Sequence, residues 1–268
     1  MMQPVRFVSI LAAILLCSVV MKPAVASDDS PRSLRVMTFN VNYANPDPTA
    51  ALDAIAKADA DVVLLQEITG GWRRQLEARF EKLYPHRVYR IHTRGAGGLA
   101  VLSKHPLKDE ELMPSPERGW FPAQRLVVDT TFGAIQVLHV HLRPAIDRGS
   151  WIKGFMTTPP LRRKEIESYW KKVAPDMPTI VAGDFNEDPT GLALQFLEKN
   201  KLSRVPTPAS APSTWRYVVH SKAGASDLLR MDIDHVVIDG RLEAKDAEVI
   251  DAGASDHRPV VVTLTPKT

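Results

Sequence analysis

Acidic, amide and imidazole side chains follow several apolar segments of this 268-residue chain. The sharpest case is Gly183-Asp184-Phe185-Asn186, which continues an apolar run over 179–183. Gly183 allows a tight backbone turn, after which Asp184 and Asn186 point the same way. A carboxylate base beside a hydrogen-bond donor suits activation of a water molecule near an anionic centre. The same pattern also fits an Asx-turn, in which both side chains bond their own backbone.

Imidazoles lie close to carboxylates in two further segments. Asp234 opens one apolar run, and Asp256 and His257 directly precede the last one. Such an adjacent pair could supply a metal carboxylate and an imidazole that touches substrate, while Asp234 holds that imidazole protonated or in one tautomer. His139 and His141 share one face of another strand. We expect His141 to be the functional one because it lies nearer the strand end.

Oxygen ligands for a hard cation follow two other apolar runs. Glu67 comes directly after residues 62–66, and Asn40 ends residues 34–40. Mg²⁺ binds through one or two carboxylates together with waters and substrate oxygens, so a glutamate at the rim of a sheet is a candidate ligand. Taken alone, Glu67 also fits a solvated loop and Asn40 a turn.

The elements that must position these residues alternate between short β-rich runs and amphipathic helical runs. Strands are predicted over 34–40, 62–66, 98–103, 125–131, 134–142, 179–183, 234–238, 247–251 and 260–264. Helices are predicted over 49–58, 72–83, 161–173 and 191–200. This order indicates an α/β fold in which two sheets pack face to face with helices outside.

The N-terminus has the features of a secretory signal. Basic Arg6 precedes an apolar run over 7–20, and small residues at 24–26 fit cleavage after Ala26. An uncleaved anchor helix is the alternative. We therefore predict an exported, periplasmic or secreted protein with a signal at 1–26, a flexible leader at 27–33 and one catalytic domain at 34–268. The mature form is expected to have no transmembrane segment and no stable protein partner.

Composition excludes several classes of site. Cys17, the only cysteine, lies inside the signal, so thiolate catalysis, disulfides and cysteine-ligated zinc are excluded from the mature chain. Loss of Arg6 and Lys22 with the signal lowers the net charge from +3 to +1, which argues against a broad nucleic-acid footprint. The chain also lacks a serine nucleophile elbow, a P-loop and a His-Glu-x-x-His helix.

Taken in order, these motifs resemble the endonuclease/exonuclease/phosphatase superfamily, which includes apurinic endonucleases, pancreatic-type deoxyribonucleases and neutral sphingomyelinases. The blocks that carry the resemblance are 38–40, 65–67, 98–103, 141–142, 183–186, 233–235 and 255–259. They span nearly all of the chain from Leu34 to Leu264. The resemblance implies a four-layer α/β sandwich of two mixed, largely antiparallel sheets packed face to face, with helices outside.

The resemblance also implies a metal site. Glu67 would be the main Mg²⁺ ligand, with Asn40 beside it and Asp256 as a further ligand, and Mn²⁺ is an alternative cation. Some family members carry a carboxylate two residues after the first asparagine, where this chain has Asn42. A neutral amide gives a metal less charge, which favours a single Mg²⁺.

Catalytic roles follow from the same resemblance. Asp184 would orient or deprotonate the attacking water, and Asn186 and His141 would bind phosphate oxygens and the developing charge. His257 would contact the phosphate, with Asp234 as its carboxylate partner. Such a layout suits an anionic ester, which repels hydroxide and needs both positive charge at its oxygens and a positioned water.

Substrate choice depends on the loops. Residues 143–164 combine six basic side chains with Trp151 and Phe155, a composition that could hold phosphates and stack a base, touch an anionic lipid, or form an ordinary solvated loop. Arg143, Asn42 and Trp215 are the candidate substrate-binding residues. Trp215 resembles a family position that lines the substrate groove, and core packing explains it equally well.

Three functions remain open from the sequence. The first is a metal-dependent hydrolase of phosphodiesters, acting on nucleic acid or on a phospholipid head group. The second is a phosphomonoesterase that acts on a small polyphosphorylated ligand. The third is a non-catalytic binding protein that keeps the fold.

Overall fold

The structure, a computed structural model, describes residues 32–92, 95–221 and 224–267. Its strands are β1 Leu34–Asn40, β2 Val62–Gln66, β3 His86–Arg90, β4 Leu99–Ser103, β5 Leu107–Met113, β6 Ala123–Thr130, β7 Gly133–His141, β8 Thr179–Asp184, β9 Leu202–Arg204, β10 Trp215–Ser221, β11 Gly224–Met231, β12 Asp234–Asp239, β13 Leu242–Val249 and β14 Val260–Pro266. Its helices are α1 Pro48–Ala58, α2 Gly70–Phe80, α3 Trp151–Thr157, α4 Pro159–Trp170 and α5 Leu192–Lys199.

The strands form two six-stranded mixed sheets and a separate hairpin. Sheet one has the order β13-β14-β1-β2-β4-β3, sheet two has the order β5-β6-β7-β8-β12-β9, and β10 pairs with β11. Each large sheet contains one parallel pair, β1 with β2 and β7 with β8. Because the carboxyl ends of parallel strands lie at the same edge of a sheet, the residues after them are brought together there.

Alternating side chains divide each sheet into two apolar faces. Residues such as Val36 and Leu64 from sheet one meet Val137 and Ala182 from sheet two in a core between the sheets. The opposite face of sheet one packs on α1 and α2, and the opposite face of sheet two packs on α4 and α5. The predicted four-layer α/β sandwich is therefore confirmed.

Local sequence explains where the first two helices begin. Asp47 accepts a hydrogen bond from the Ala50 backbone N–H at 3.1 Å ahead of α1, and Thr69 accepts one from Trp72 at 3.3 Å ahead of α2. These caps satisfy backbone donors that have no partner within the helix. The cap at Thr69 means that α2 covers Gly70–Phe80, whereas the sequence predicted 72–83.

Two sequence interpretations need correction. Residues 143–164 do not form a basic loop, because they contain α3 and the first half of α4. The Ser150 side chain caps α3 by accepting a hydrogen bond from the Lys153 backbone N–H at 3.2 Å. Strands β3, β5 and β9 and the β10–β11 hairpin were also not predicted.

The predicted signal over 1–26 lies outside the described residues, and among the described helices none is long and apolar enough to cross a membrane.

Candidate active site

Asn40 links the two sheets at the edge where β1 and β8 end. Its side-chain nitrogen Nδ2 donates to Glu67 Oε1 at 3.1 Å and to Asp184 Oδ2 at 3.0 Å. Glu67 follows β2 in sheet one, whereas Asp184 ends β8 in sheet two. One buried amide therefore holds two carboxylates from different sheets, and the site exists only when both sheets are packed together.

Glu67 has a backbone that directs its side chain into the site. Its φ of 65° lies in the left-handed region, which is uncommon for a residue other than glycine. The second carboxylate oxygen, Oε2, accepts a hydrogen bond from the Tyr43 backbone N–H at 3.0 Å. Burial raises the pKa of Glu67, although the hydrogen bonds from Tyr43 and Asn40 oppose the shift. A nearby cation would favour the ionised carboxylate.

Asp184 lies in the centre of the site. The Asn186 backbone N–H donates to Asp184 Oδ1 at 2.8 Å, so the Asx-turn that the sequence left as an alternative is present at Asp184 and leaves Oδ2 facing the other site residues. Asn186 Nδ2 donates to the Leu142 carbonyl at 2.9 Å, which fixes the orientation of its amide. Burial raises the pKa of the Asp184 carboxyl.

Gly183 is required by this turn. Its φ is 149°, and a Cβ at this position would lie 1.8 Å from the Val140 carbonyl oxygen of the neighbouring strand. A side chain cannot fit in that space. The glycine therefore allows β8 to run close beside β7 and to deliver Asp184 to the edge of the sheet.

His257 and Asp234 form a buried pair on the other side of Asp184. His257 Nδ1 lies 2.9 Å and 3.1 Å from the two carboxylate oxygens of Asp234, and Nε2 lies 3.7 Å from Asp184 Oδ2. Burial alone would lower the pKa of His257. The negative charges of Asp234 and Asp184 outweigh burial and raise the pKa well above its ordinary value. His257 is consequently a buried cation at neutral pH.

His141 and His139 have different environments. His141 lines the pocket, where it stacks on Phe121 with ring centroids 4.2 Å apart, and its Nε2 lies 3.5 Å from Asp184 Oδ2. His139 lies beneath it between the sheets and accepts a hydrogen bond from Gln66 at 2.7 Å. Burial lowers the pKa of each imidazole to about 3, so both are neutral at physiological pH.

Asp256 is held by two side-chain donors. Asn42 Nδ2 donates to Oδ1 at 2.8 Å, and the Trp215 indole N–H donates to Oδ2 at 3.0 Å. Burial raises the pKa of Asp256, but the positive charge of His257 and these hydrogen bonds more than offset burial and leave the pKa lowered. Asp256 is therefore ionised, and Asn42 and Trp215 fix its orientation.

These side chains surround a pocket of about 450 Å³. Three carboxylates face it, those of Glu67, Asp184 and Asp256, and the aromatic lining comes from Tyr43, Trp120, Phe121, Trp151, Phe155 and Trp215. Lysine and arginine are absent from the described residues that line it. Positive charge for an anionic ligand would therefore have to come from His257 and from a bound cation.

Comparison with protein families identifies the family of this chain. The model of the Endonuclease/Exonuclease/phosphatase family matches residues 37–257, which are most of the chain. The chain belongs to this family. Members of the endonuclease/exonuclease/phosphatase family are metal-dependent hydrolases of phosphoester bonds. Among curated proteins, none matches the chain significantly.

Solved structures of the family have the same fold. An endonuclease/exonuclease/phosphatase from Beutenbergia cavernae matches with a TM-score of 0.68 and 22% identity, over 88% of this chain and 72% of that one. Sphingomyelinase C from Streptomyces griseocarneus matches with a TM-score of 0.60 and 20% identity, over 86% and 99%. Truncated TDP2 from Caenorhabditis elegans matches with a TM-score of 0.63 and 16% identity, over 87% and 98%. At these identities the likeness shows the fold alone.

A metal-dependent family requires oxygen or nitrogen ligands, and two sets of them lie close together. In the described part of the chain, ligand atoms of Asp184, Asp234 and His257 all lie within 4.8 Å of one another. The set predicted from the sequence is different and comprises Glu67, Asn40 and Asp256. Glu67 and Asp256 line the pocket. Asn40 does not line it, and its Nδ2 donates to Asp184, the third carboxylate of the pocket.

Arg143 is not brought to the pocket wall of this family member. Its guanidinium donates to the backbone carbonyls of Arg118 and Ile146, and it packs on the Trp120 ring with its carbon 4.2 Å from the ring centroid. Arg162, from the same basic segment, is buried against Glu187. These two arginines position the segment that borders the pocket, and substrate contact by Arg143 stays a prediction.

Sequence reasoning named three of the six aromatic residues that line the pocket and missed the other three. Tyr43, Trp120 and Phe121 come from loops whose path depends on tertiary packing, so no local pattern marks them. Trp151 and Phe155 lie four residues apart on α3 and therefore on one face of the helix. The cap at Ser150 was the available signal for that helix.

Proposed function

We propose that this protein is a Mg²⁺-dependent phosphodiesterase that hydrolyses its substrate with a water molecule activated by Asp184. The observation that carries this proposal is the position of Asp184, which lies between the cation His257 and the amide of Asn40 and faces a pocket whose described lining has no lysine or arginine. An ionisable base beside a buried cation suits attack on an anionic ester.

Glu67, Asn40 and Asp256 would hold the metal. Each Glu67 oxygen accepts one hydrogen bond, from Asn40 or Tyr43, and retains a free lone pair. The oxygen-rich donor set and the three pocket carboxylates fit a hard divalent cation. When bound, Mg²⁺ would neutralise the phosphate oxygens and favour the ionised form of Glu67. Asn42 stands where a further carboxylate would be needed, which favours one ion over two.

The cluster of Asp184, Asp234 and His257 is better suited to proton transfer than to metal binding. A metal ligand must be a neutral imidazole, whereas the two carboxylates keep His257 protonated. Both oxygens of Asp234 already face His257 Nδ1. His257 would therefore use its Nε2–H to bind a phosphate oxygen, with Asp234 as the group that fixes its orientation.

Asp184 would accept a proton from the attacking water. Its raised pKa brings the carboxyl closer to neutral pH, where a general base is most effective. The hydrogen bond from the Asn186 backbone fixes Oδ1 and leaves Oδ2 for the water. Asn40 donates to that same Oδ2 and prevents the carboxylate from rotating.

Neutral donors would complete the binding of phosphate. His141 is neutral and faces the pocket, and the Asn186 amide has a second N–H beyond the one that bonds Leu142. Both can donate to phosphate oxygens without adding charge. Stacking on Phe121 holds the His141 ring in place.

Charge favours a diester over a polyphosphorylated ligand. A small ligand with several phosphates needs several basic side chains, and the described lining of this pocket has neither lysine nor arginine and only His257 as a cation. A diester carries a single negative charge, which one divalent ion and His257 can balance. The aromatic walls also suit an uncharged or apolar group attached to the phosphate, whether a nucleoside or a lipid head group.

The test is hydrolysis of bis-p-nitrophenyl phosphate, p-nitrophenyl phosphate, plasmid DNA and sphingomyelin, each with Mg²⁺ and with a chelator, by the wild type and by Asp184→Asn. We expect metal-dependent turnover of the diester at a higher rate than of the monoester. Asp184→Asn should lower that turnover by several orders of magnitude and leave the unfolding temperature nearly unchanged. Turnover that persists in the chelator, or near-normal rates in Asp184→Asn, would contradict the proposal.

A further inference from the structure

Helix α3 has an unusual surface for a helix in water. Six of its seven residues are exposed, and four of these are large and apolar. Ile152 and Met156 are 81% and 79% exposed, and Trp151 and Phe155 are 47% and 42% exposed. A short solvated helix would be expected to present polar residues instead.

The apolar surface continues from α3 onto the β10–β11 hairpin. The Trp151 ring stacks on Trp215 with centroids 6.1 Å apart, and Trp215 stacks on Tyr217 with centroids 6.5 Å apart. Tyr217 is 50% exposed and lies directly opposite Leu229, which is 43% exposed. We call the six exposed members of this surface the apolar rim: Trp151, Ile152, Phe155, Met156, Tyr217 and Leu229.

The apolar rim borders the active-site pocket. Trp151 and Phe155 belong to both, and Trp215, the middle ring of the stack, also lines the pocket. Ile152, Met156 and Leu229 do not line the pocket. A surface that covered the rim would therefore present its own groups at the mouth of the site.

Basic side chains lie among these apolar residues. Lys153 is exposed in the middle of α3, and Arg148 is exposed just before it. Asp147 is the nearest acid, 3.9 Å from the Lys153 ammonium, and α3 itself contains no acidic residue. Apolar side chains combined with lysine and arginine are typical of surfaces that bind anionic lipid.

A nucleic acid fits this surface less well. The most exposed rim residues, Ile152 and Met156, are aliphatic and offer no ring on which a base can stack. A polynucleotide also needs several lysine or arginine contacts to its phosphates, whereas the described pocket lining has neither residue.

We infer that the apolar rim docks the protein on an anionic phospholipid bilayer and that the substrate is a phosphodiester of a lipid, whose head group enters the pocket. The substrate part of this inference rests on the proposed function, whereas the docking part does not. Aliphatic side chains of α3 would insert among the acyl chains, while Lys153 and Arg148 contact the anionic head groups.

The experiment measures quenching of tryptophan fluorescence by brominated phosphatidylglycerol vesicles, with the full chain and in the presence of a chelator. Trp151 reports on the rim directly, and the apolar run at residues 7–20 contains no tryptophan, so attachment through that run gives no comparable signal. The rim variant is Ile152→Ser/Met156→Ser. The control is Leu83→Ser, which removes a 40% exposed leucine beyond the C-terminal end of α2.

We expect the rim variant to need about tenfold more lipid for half-maximal quenching, because two apolar anchors are lost. Leu83→Ser should match the wild type, and zwitterionic vesicles should quench less than anionic ones. All three proteins should hydrolyse soluble bis-p-nitrophenyl phosphate at equal rates, since neither position lines the pocket.

Equal quenching of the rim variant and the wild type, or no quenching, would overturn the docking inference. The nucleic-acid alternative would replace the docking inference if the wild type bound a single-stranded oligonucleotide tightly but not vesicles, and if the rim variant lost the oligonucleotide binding. Vesicle binding without hydrolysis of any diester would leave docking intact and refute the proposed function. Diester hydrolysis without vesicle binding would support the proposed function and overturn the docking inference.

Discussion

His257 Nδ1 lies 2.9 Å and 3.1 Å from the two carboxylate oxygens of Asp234, and both side chains are buried. This arrangement directs the Nδ1 proton at Asp234 and leaves Nε2 pointing towards Asp184. Because burial alone would favour the neutral imidazole, the positive charge of His257 depends on its two acidic neighbours. The pair is therefore the most direct place to test the proposed chemistry.

Asp234→Asn should convert His257 into a neutral imidazole at neutral pH. The negative charge of Asp234 is the largest effect that raises the pKa of His257 against burial. When this charge is removed, the pKa should fall from its raised value. We expect kcat/KM for bis-p-nitrophenyl phosphate to drop about 10²–10⁴-fold at pH 7.5 and to recover partly as the pH is lowered. A pH–rate profile checks this. A profile parallel to that of the wild type would show that His257 does not act as a cation.

Glu67→Gln should weaken metal binding more than it weakens the fold. The substitution keeps an oxygen near Asn40 and removes the negative charge from the proposed site. We expect the Mg²⁺ concentration for half-maximal activity to rise at least about tenfold. Calorimetric titration with Mg²⁺ alone gives a second readout. Glu77→Gln, at a partly exposed carboxylate of α2, is the control and should leave the titration unchanged.

Gly183→Ala should destabilise sheet two at the place where β8 runs close beside β7. The added Cβ would lie 1.8 Å from the Val140 carbonyl oxygen, and its φ of 149° is unfavourable for alanine. We expect a loss of more than about 3 kcal/mol in the free energy of unfolding, measured by urea denaturation. Gly240→Ala is the matched control, since a Cβ there meets nothing within 4 Å, and its effect should stay within about 0.5 kcal/mol. Similar losses in both variants would contradict the argument from close strand approach.

His139→Gln should make the protein less sensitive to acid. Burial lowers the pKa of His139 to about 3, so below pH 6.5 the unfolded chain binds a proton that the folded protein does not. Stability is therefore lost as the pH falls, at about 1.4 kcal/mol per pH unit for one such group. Urea denaturation at pH 7, 6 and 5 should show a shallower decline in the variant, whatever its stability at pH 7. An unchanged slope would mean that the imidazole is protonated in the folded state.

The sequence predicted the elements whose pattern is local. Strands such as Val62–Gln66 are continuous apolar runs because they are buried on both faces, and this pattern is visible without a structure. The motifs also indicated residues that the structure brings together. Asn40 and Asp184 end strands, Glu67 directly follows one, and His257 lies just before β14. Their individual roles remain predictions.

Other features depend on contacts that a sequence does not display. Arg143 was a candidate for substrate binding and stays one, but nothing in the sequence indicated that neighbouring carbonyls and the Trp120 ring hold its guanidinium. Charge alone gives no sign of such partners. The need for glycine at position 154 of α3 also depends on a tertiary contact. A Cβ there would lie 2.1 Å from the Ala145 carbonyl oxygen, so the helix needs glycine to pack on its own preceding loop.

The position of β14 beside β1 has a consequence for the time at which the site forms. β1 is synthesised before every other described strand, yet one of its two neighbours in sheet one is β14, and His257 lies just before that strand. A chain on the ribosome that ends before residue 257 has an open central strand and lacks the imidazole. The order of the strands therefore delays assembly of the site until β14 has been synthesised, which keeps the shorter nascent chain latent.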